Sequence, residues 1–167
     1  MLLIIRNMRS LSFSSLMDIY AEGNAENGRD KYPNLSQNQQ ILLAEQDFYQ
    51  YLNQVFFLTD GAFYAVWAPQ GRYVAALRME PYHDGILLDA LETRPEARHK
   101  GYASQLILEA INWLSQQGRG KIYSHVSKKN AASISTHLKC GFQKILDHAV
   151  YADGSVLHSS ITFYLEY

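Results

Sequence analysis

The chain of 167 residues has a formal net charge of −1 at neutral pH, and 47% of its residues are hydrophobic. A nearly neutral chain has no basic surface to attract a phosphate backbone, so we expect no nucleic-acid partner. Its one cysteine, Cys140, cannot form an internal disulfide, and the apolar start MLLII is shorter than a signal-peptide core or a membrane span. We therefore expect one domain over residues 1–167, located in the cytoplasm and without a membrane partner.

The N-terminal third predicts one strand followed by two helices. Leu2–Arg6 is an apolar run of strand length, and Ser10 is a candidate N-cap for the helix after it. The most polar stretch of the chain, residues 21–40, predicts a mobile connection. Ser36 is a candidate N-cap for a second helix. The apolar residues of that helix have helical spacing: Ile41, Ala44, Phe48, Leu52 and Val55.

The central third predicts three successive strands and then the clearest helix of the chain. The segments AFYAVWAP, RYVAALRMEPY and GILLDALET are rich in aromatic and β-branched residues, and the turns PQG and YHDG separate them, which predicts an antiparallel meander. The apolar period then changes to that of a helix, with Gly118 as its expected C-cap. The apolar face of this helix consists of Ala103, Leu106, Ile107, Ala110, Ile111 and Leu114.

The C-terminal third predicts the strand KIYSHV, the short helix AASISTHLK closed by Gly141, and a final hairpin. The two strands of that hairpin, FQKILDHAVY and SVLHSSITFYLEY, are joined at Asp153-Gly154. The predicted order is therefore β-α-α-β-β-β-α-β-α-β-β. This order is typical of an α/β (α+β) domain in which helices flank a mixed, mostly antiparallel sheet.

The connection between GILLDALET and the clearest helix gives the strongest chemical signal. In RPEARHKGYAS, the spacing R-x-x-G-x-A is formed by Arg98, Gly101 and Ala103. Small residues at a helix N-terminus leave backbone N–H groups accessible at the positive end of the helix dipole, where a phosphate group can bind. His99 and Lys100 add positive charge beside Arg98. Alone, the spacing is a weak signal, because a glycine before a helix is commonly only a tight turn.

In its sequence context this turn resembles the GNAT superfamily of acyl-CoA-dependent N-acyltransferases. The strand before the turn, the helix after it, Asn130 at the start of the next helix and LKCGF at the end of that helix match the family pattern. The specific motifs extend over about residues 87 to 142, whereas the order of strands and helices matches along the whole chain. The resemblance implies acetyl-CoA (coenzyme A) as co-substrate, no metal, and direct attack of an amine on the thioester.

The resemblance also implies how individual residues bind coenzyme A. Backbone amides of residues 99–104 bind the diphosphate, a bulge in the preceding strand binds the acyl carbonyl through the amide of about Leu91, and Asn130 contacts the pantetheine arm. The region from Tyr20 to Tyr32 lies where relatives cover the amine substrate. The complete set of implied coenzyme A-binding residues is Leu91, Thr93, Arg98, His99, Lys100, Gly101, Tyr102, Ala103, Ser104 and Asn130.

Asp89 is the first candidate for catalysis. It alternates with Leu87 and Leu91, so we expect it on the same strand face as the implied acyl-binding amide. Several relatives keep a base, or a residue that anchors a water chain, at this place, and an ammonium substrate must lose a proton before it attacks. The alternative is that Asp89 is only a capped or ion-paired carboxylate at an opening of the sheet.

His137 is the second candidate for catalysis. The usual general acid of the family is a tyrosine four residues before the Gly-Phe pair, and in this sequence that residue is His137. An imidazole can donate a proton, but its ordinary pKa of about 6.5 leaves it mostly neutral near pH 7. The leaving thiol has an ordinary pKa of about 8.5 and needs little help. His137 is therefore either a replacement acid or a histidine that only forms hydrogen bonds near the thioester sulfur.

These features predict an N-acetyltransferase that moves an acetyl group from acetyl-CoA to a primary amine of a small molecule or a peptide, as a monomer or a homodimer. Two alternatives remain open: an acyltransferase that uses a longer acyl-CoA, and a catalytically silent acyl-CoA-binding or sensor module, which the missing tyrosine allows. The histidines include no close pair at metal-ligand spacing, so no metal site is expected. Cys140 is expected to be a small core residue rather than a nucleophile.

Overall fold

A seven-stranded sheet forms the centre of the structure, a computed structural model that describes residues 1–167. The strands are β1 (Leu2–Ile5), β2 (Phe63–Trp67), β3 (Ala75–Tyr82), β4 (Gly85–Thr93), β5 (Lys121–Ser127), β6 (Gln143–Leu146), β7 (Ala149–Val150), β8 (Val156–Leu157) and β9 (Ser160–Glu166). Strands β7 and β8 form a separate two-stranded ribbon, and the others follow the order β1-β2-β3-β4-β5-β9-β6 across the sheet. Only β4 and β5 are parallel neighbours.

Five α-helices cover the two faces of this sheet. They are α1 (Phe13–Ile19), α2 (Ala21–Lys31), α3 (Gln37–Gln54), α4 (Tyr102–Gln116) and α5 (Ala131–Lys139). One hydrophobic core lies between the sheet and α1 and α3, and a second lies between the opposite face and α4. None of the helices combines the length and the apolar character that crossing a membrane requires. The predicted fold class, a mixed and mostly antiparallel sheet flanked by helices, is confirmed.

The sequence signals at two helix starts correspond to real caps. Ser36 and Gln39 form a capping box before α3. The Ser36 side chain accepts from the backbone N–H of Gln39, and the Gln39 side chain accepts from the backbone N–H of Ser36. Gly101 is the N-cap of α4 and has a φ of 78°, a left-handed conformation that favours glycine. In contrast, the first helix begins at Phe13 after Ser12 rather than after Ser10, because Ser10 belongs to a short 3-10 turn.

The prediction of a mobile connection over residues 21–40 is wrong, because the whole of its first half lies in α2 and its last four residues belong to α3. This helix has almost no apolar residues, and it contacts α3 through polar groups. The Lys31 ammonium lies 2.6 Å from the Asp47 carboxylate, and the Gln40 side chain donates to the Tyr32 carbonyl at 3.0 Å. A helix that is held by polar contacts leaves no hydrophobic period in its sequence, so the usual signal is absent.

The final hairpin is also shorter and more divided than predicted. A turn does occur at Asp153-Gly154, but it joins β7 to β8, which have two residues each. The main sheet instead pairs β6 with β9. The ribbon stays close to the sheet because the Thr162 hydroxyl donates to the His148 carbonyl at 2.7 Å and the Tyr82 hydroxyl donates to the Val150 carbonyl.

Strands β4 and β5 separate halfway along their length. Their parallel pairing ends at Leu88 and Ser124. Just beyond this point β4 contains a bulge: between the Arg78–Asp89 pair and the Ala76–Glu92 pair, two residues of β4, Ala90 and Leu91, oppose the single residue Leu77 of β3. Within the bulge Ala90 has a φ of 51°, which is rare for a residue with a side chain. The second half of β4 thus has a free edge toward β5.

A substitution at Gly85, at the start of β4, tests how closely β4 and β5 approach each other before they separate. A Cβ atom at Gly85 would lie 2.3 Å from the Lys121 carbonyl oxygen, so Gly85→Ala should force the strands apart and lower the free energy of unfolding by about 1–3 kcal/mol. Gly23→Ala in α2 is the matched control, because no atom lies within 4 Å of its added Cβ. This control should raise stability by about 0.5–1 kcal/mol. Urea denaturation measures both, and equal stabilities would contradict the close approach.

Candidate functional site

Two cavities lie on opposite faces of the sheet beside the bulge. We call the first, of about 730 Å³, the helix cavity. Its lining comprises Tyr20, Gly23, Asn24, Asn27, Asp30, Lys31, Tyr32, Ala44, Asp47, Phe48, Tyr51, Arg78 and Ala90. We call the second, of about 420 Å³, the turn cleft. Its lining comprises Leu91, Glu92, Thr93, Ala97, Arg98, His99, Gly101, Tyr102, Ala103, Ser104, Asn130, Ala132, Ser133, Ser135, Thr136 and Lys139.

The turn before α4 presents unpaired backbone donors to the turn cleft. None of the six consecutive N–H groups from His99 to Ser104 donates to another group of the protein, and the first helical bond is from the Gln105 N–H to the Gly101 carbonyl at 3.0 Å. His99 and Gly101 both have positive φ, at 61° and 78°, so the turn is sharply coiled. Unpaired amides at a helix N-terminus suit the oxygens of a phosphate group.

The positive charges near this turn are largely engaged within the protein. The Arg98 guanidinium lies 2.8 Å from the Glu22 carboxylate of α2 and 3.2 Å from the Glu92 carboxylate of β4. Lys100 is the one implied coenzyme A-binding residue that does not line the turn cleft, and its ammonium donates to the Glu96 carbonyl at 3.2 Å. Arg98 therefore ties the turn to α2 and β4, and the backbone amides supply most of the attraction for an anion.

The remaining implied residues surround the amides. Leu91 and Thr93 line the cleft from the free edge of β4, and Asn130 lines it from the start of α5. The Asn130 side chain caps α5 by accepting from the Ser133 N–H at 2.9 Å, which fixes its position. Cys140 is buried, its thiol contacts the Ser104 carbonyl at 3.7 Å, and burial raises its pKa, as befits a core residue.

Asp89 lies on the face of the helix cavity and is ion-paired. Its carboxylate accepts from the Arg78 guanidinium at 2.8 Å, and the same guanidinium donates to the Tyr51 hydroxyl at 2.7 Å. The expectation that Asp89 and Leu91 share a face is wrong, because the bulge at Ala90 interrupts the alternation and Leu91 lines the turn cleft. The ion pair agrees with the structural alternative for Asp89, and its role in proton transfer stays a prediction.

His137 is buried in the core between α5 and the sheet, and only 1% of it is exposed. Its Nδ1 lies 2.8 Å from the Ser133 carbonyl and so donates to it, which leaves Nε2 to accept from the Ser124 hydroxyl at 2.9 Å. The ring stacks on Phe163 at 5.5 Å, and burial lowers its pKa. A neutral ring with both nitrogens engaged favours packing and hydrogen bonding over proton donation, and the acid role stays a prediction.

Two residues near the bulge, Arg78 and His125, were not among the sequence candidates, and Tyr20 was included only as the start of the region expected to cover the amine. His125 is on β5, one residue beyond the end of its pairing with β4. Both of its ring nitrogens are buried without a hydrogen-bond partner, and burial lowers its pKa while the nearby Asp89 opposes that shift. Alternation along KIYSHV places its side chain opposite the apolar ones, but a single histidine in a strand gives no further signal.

Comparison with known proteins identifies the family. The family model described as Acetyltransferase (GNAT) family matches residues 21–142. This chain belongs to the GNAT acetyltransferase family. No curated protein sequence matches the chain at a significant level.

Solved structures share the fold of this GNAT acetyltransferase at low sequence identity. A PaiA N-acetyltransferase from Thermoplasma acidophilum, in complex with coenzyme A, has a TM-score of 0.64 at 16% identity and covers 100% of this chain and 99% of its own. A ribosomal-protein-alanine N-acetyltransferase from Escherichia coli has a TM-score of 0.60 at 18% identity, with 99% and 94% covered. A variant of spermidine N-acetyltransferase from Vibrio cholerae gives the same four values.

The two interpretations of His137 in this GNAT acetyltransferase predict different activities for the variant His137→Phe. This substitution keeps an aromatic ring and removes both nitrogens. Because both nitrogens bind protein groups, we expect turnover within a few-fold of the parent, unchanged affinity for coenzyme A, and lower thermal stability from the two lost hydrogen bonds. Steady-state kinetics and calorimetry measure these quantities. A loss of turnover of up to about 100-fold without loss of coenzyme A affinity would instead support the acid role.

Proposed function

We propose that this GNAT acetyltransferase transfers an acetyl group from acetyl-CoA to a primary amine of a small molecule or a peptide. The observation that carries the proposal is the row of six unpartnered N–H groups from His99 to Ser104, because all of these residues except Lys100 line a cleft that extends to Leu91 in the bulge of β4. Coenzyme A has a diphosphate for such amides and a long arm that reaches from them to the bulge. The coenzyme A complex of the T. acidophilum relative supports this donor.

The helix cavity is the proposed acceptor site. It lies across the sheet from the turn cleft, so an amine bound there approaches the thioester from the face opposite the donor. Its lining includes the Asp30 carboxylate and the aromatic rings of Tyr20 and Phe48, which can attract or contact a substrate ammonium. The Asp47 carboxylate also lines the cavity, where it is paired with Lys31. The similar structures include enzymes named for spermidine and for a ribosomal-protein alanine, which supports amines as the class of acceptor.

The transfer needs one new bond and one broken bond. The amine nitrogen attacks the acyl carbonyl carbon, the N–C bond forms, and the C–S bond breaks with its electron pair leaving on sulfur. The Leu91 N–H of the bulge is the proposed donor to the carbonyl oxygen during attack. The proton lost from nitrogen needs an acceptor. Asp89 is the group expected from the sequence, and the unpartnered imidazole of His125 is a second candidate on the same face.

Gly101→Val tests the donor site. A Cβ at Gly101 meets no protein atom within 4 Å, so a valine side chain would enter the turn cleft without displacing other residues. We expect coenzyme A binding to weaken by about 100-fold or more, because charge-assisted bonds to several amides are lost. Gly118→Val is the matched control: Gly118 has a φ of 71°, also has open space, and lies at the other end of α4. It should carry similar backbone strain and keep coenzyme A affinity.

The outcomes separate the proposed function from its alternatives. Calorimetry that showed equal affinity in folded Gly101→Val and parent protein would remove the basis for the donor site. Coenzyme A binding without release of free thiol from acetyl-CoA, across a panel of polyamines, amino acids, aminoglycosides and peptide N-termini, would favour a silent binding module. Faster turnover with a longer acyl-CoA would favour that donor instead.

Asp89→Asn tests the proton acceptor. If the carboxylate organises proton removal, the rate should fall most at pH values where the amine is protonated, and should recover as rising pH deprotonates the amine directly. The measurement is kcat/KM against pH for parent, Asp89→Asn and His125→Gln. A uniform loss at every pH in Asp89→Asn would mean that Asp89 only pairs with Arg78. The pH-dependent loss in His125→Gln alone would assign proton removal to the imidazole.

A further inference from the structure

The Tyr20 hydroxyl contacts the strained bulge from the helix side. It donates to the Ala90 carbonyl oxygen at 2.6 Å, across 70 residues of sequence. Tyr20 is itself held firmly. It is the residue between α1 and α2, its carbonyl accepts from the Asn24 N–H at 2.8 Å, and its ring packs edge-on against Phe48 at 5.3 Å. The hydroxyl is therefore a fixed donor aimed at one peptide group of β4.

That peptide group separates the two cavities. Ala90 lines the helix cavity and Leu91 lines the turn cleft. The structure has no cis peptide bonds, and in a trans peptide the C=O and the following N–H point in opposite directions. Since the Ala90 carbonyl points to Tyr20, the Leu91 N–H points away from the helix cavity. The hydrogen bond also opposes relaxation of Ala90 from its unusual φ of 51°.

The chemistry of the peptide adds to this geometry. When a peptide carbonyl accepts a hydrogen bond, the N–H of the same peptide becomes a stronger donor. Burial raises the pKa of the Tyr20 phenol, so the hydroxyl keeps its proton at every working pH. A chain of hydrogen bonds can thus run from the Tyr20 hydroxyl, through the Ala90–Leu91 peptide group, to an acceptor oxygen in the turn cleft.

We propose that Tyr20 is a positioning residue for acyl transfer, whose hydroxyl fixes and polarises the Ala90–Leu91 peptide so that the Leu91 N–H can stabilise negative charge on the acyl carbonyl oxygen. The inference rests on the proposed function. It adds a link between the two proposed substrate sites, because Tyr20, which lines the helix cavity just before α2, also positions the donor that activates the thioester.

Tyr20→Phe removes one oxygen and keeps the ring that packs on Phe48. We expect kcat to fall by roughly 10-fold, less than the 100-fold or more that removal of a direct oxyanion donor costs, with little change in the KM for acetyl-CoA. The slow hydrolysis of acetyl-CoA without an amine should fall in the same proportion, because water attacks the same carbonyl. Infrared spectra of bound acetyl-CoA labelled with carbon-13 at the carbonyl should show a higher stretching frequency.

Tyr73→Phe is the control, because Tyr73 is buried in the same core and its hydroxyl only accepts a 3.4 Å contact from the Ser12 N–H. Its kinetics and infrared spectrum should match the parent, and thermal unfolding confirms that both variants fold. Unchanged kcat in Tyr20→Phe, or a raised amine KM with unchanged hydrolysis and infrared frequency, would overturn the inference while the proposed function stands. A parent protein without coenzyme A binding or acetyl transfer would overturn both.

Discussion

The separation of β4 from β5 is the constraint on which the rest of the structure depends. Two parallel strands that part after Leu88 and Ser124 leave one edge of β4 without backbone partners in the middle of the sheet. Unpaired strand edges in a protein interior are costly unless other groups use them. Here the edge borders the turn cleft, and the bulge at Ala90 directs successive residues to opposite cavities. A donor and an acceptor substrate can therefore meet through the sheet rather than on its surface.

The side chains around the gap between β4 and β5 fall into two groups. Some are engaged in contacts that hold the strands in place, and others have no partner and are available for proton transfer. His137 belongs to the first group, because it ties α5 to Ser124, the last residue of β5 that pairs with β4. The ion pair of Arg78 and Asp89 connects β3 to β4 at the start of the bulge. His125 differs from all of these, since a neutral imidazole without a partner has both a proton and a lone pair to offer. Buried polar atoms without partners are rare and are found disproportionately at functional sites.

The sequence predicted the features that depend on local pattern. The turn before α4, its amides, the meander and the fold class followed from spacing, periodicity and the family resemblance. The helix α2 did not, because its contacts with α3 are polar and leave no apolar period. The family resemblance implied a bulge in β4, but Asp89 and Leu91 were placed on one face by strict alternation, which that bulge interrupts. The contact between Tyr20 and Ala90 joins residues 70 positions apart, and no local signal in either segment reports it.

The central claim is that the amides of the turn and of the bulge bind the two ends of the same acyl-CoA molecule. Backbone NMR of the nitrogen-15-labelled protein tests it directly. On addition of coenzyme A we expect the amide resonances of residues 99–104 to shift, and on addition of acetyl-CoA we expect the Leu91 amide proton to move downfield, because the Leu91 N–H donates to the acyl carbonyl oxygen. Shifts confined to other parts of the chain, or a Leu91 resonance that does not respond to acetyl-CoA, would contradict the account.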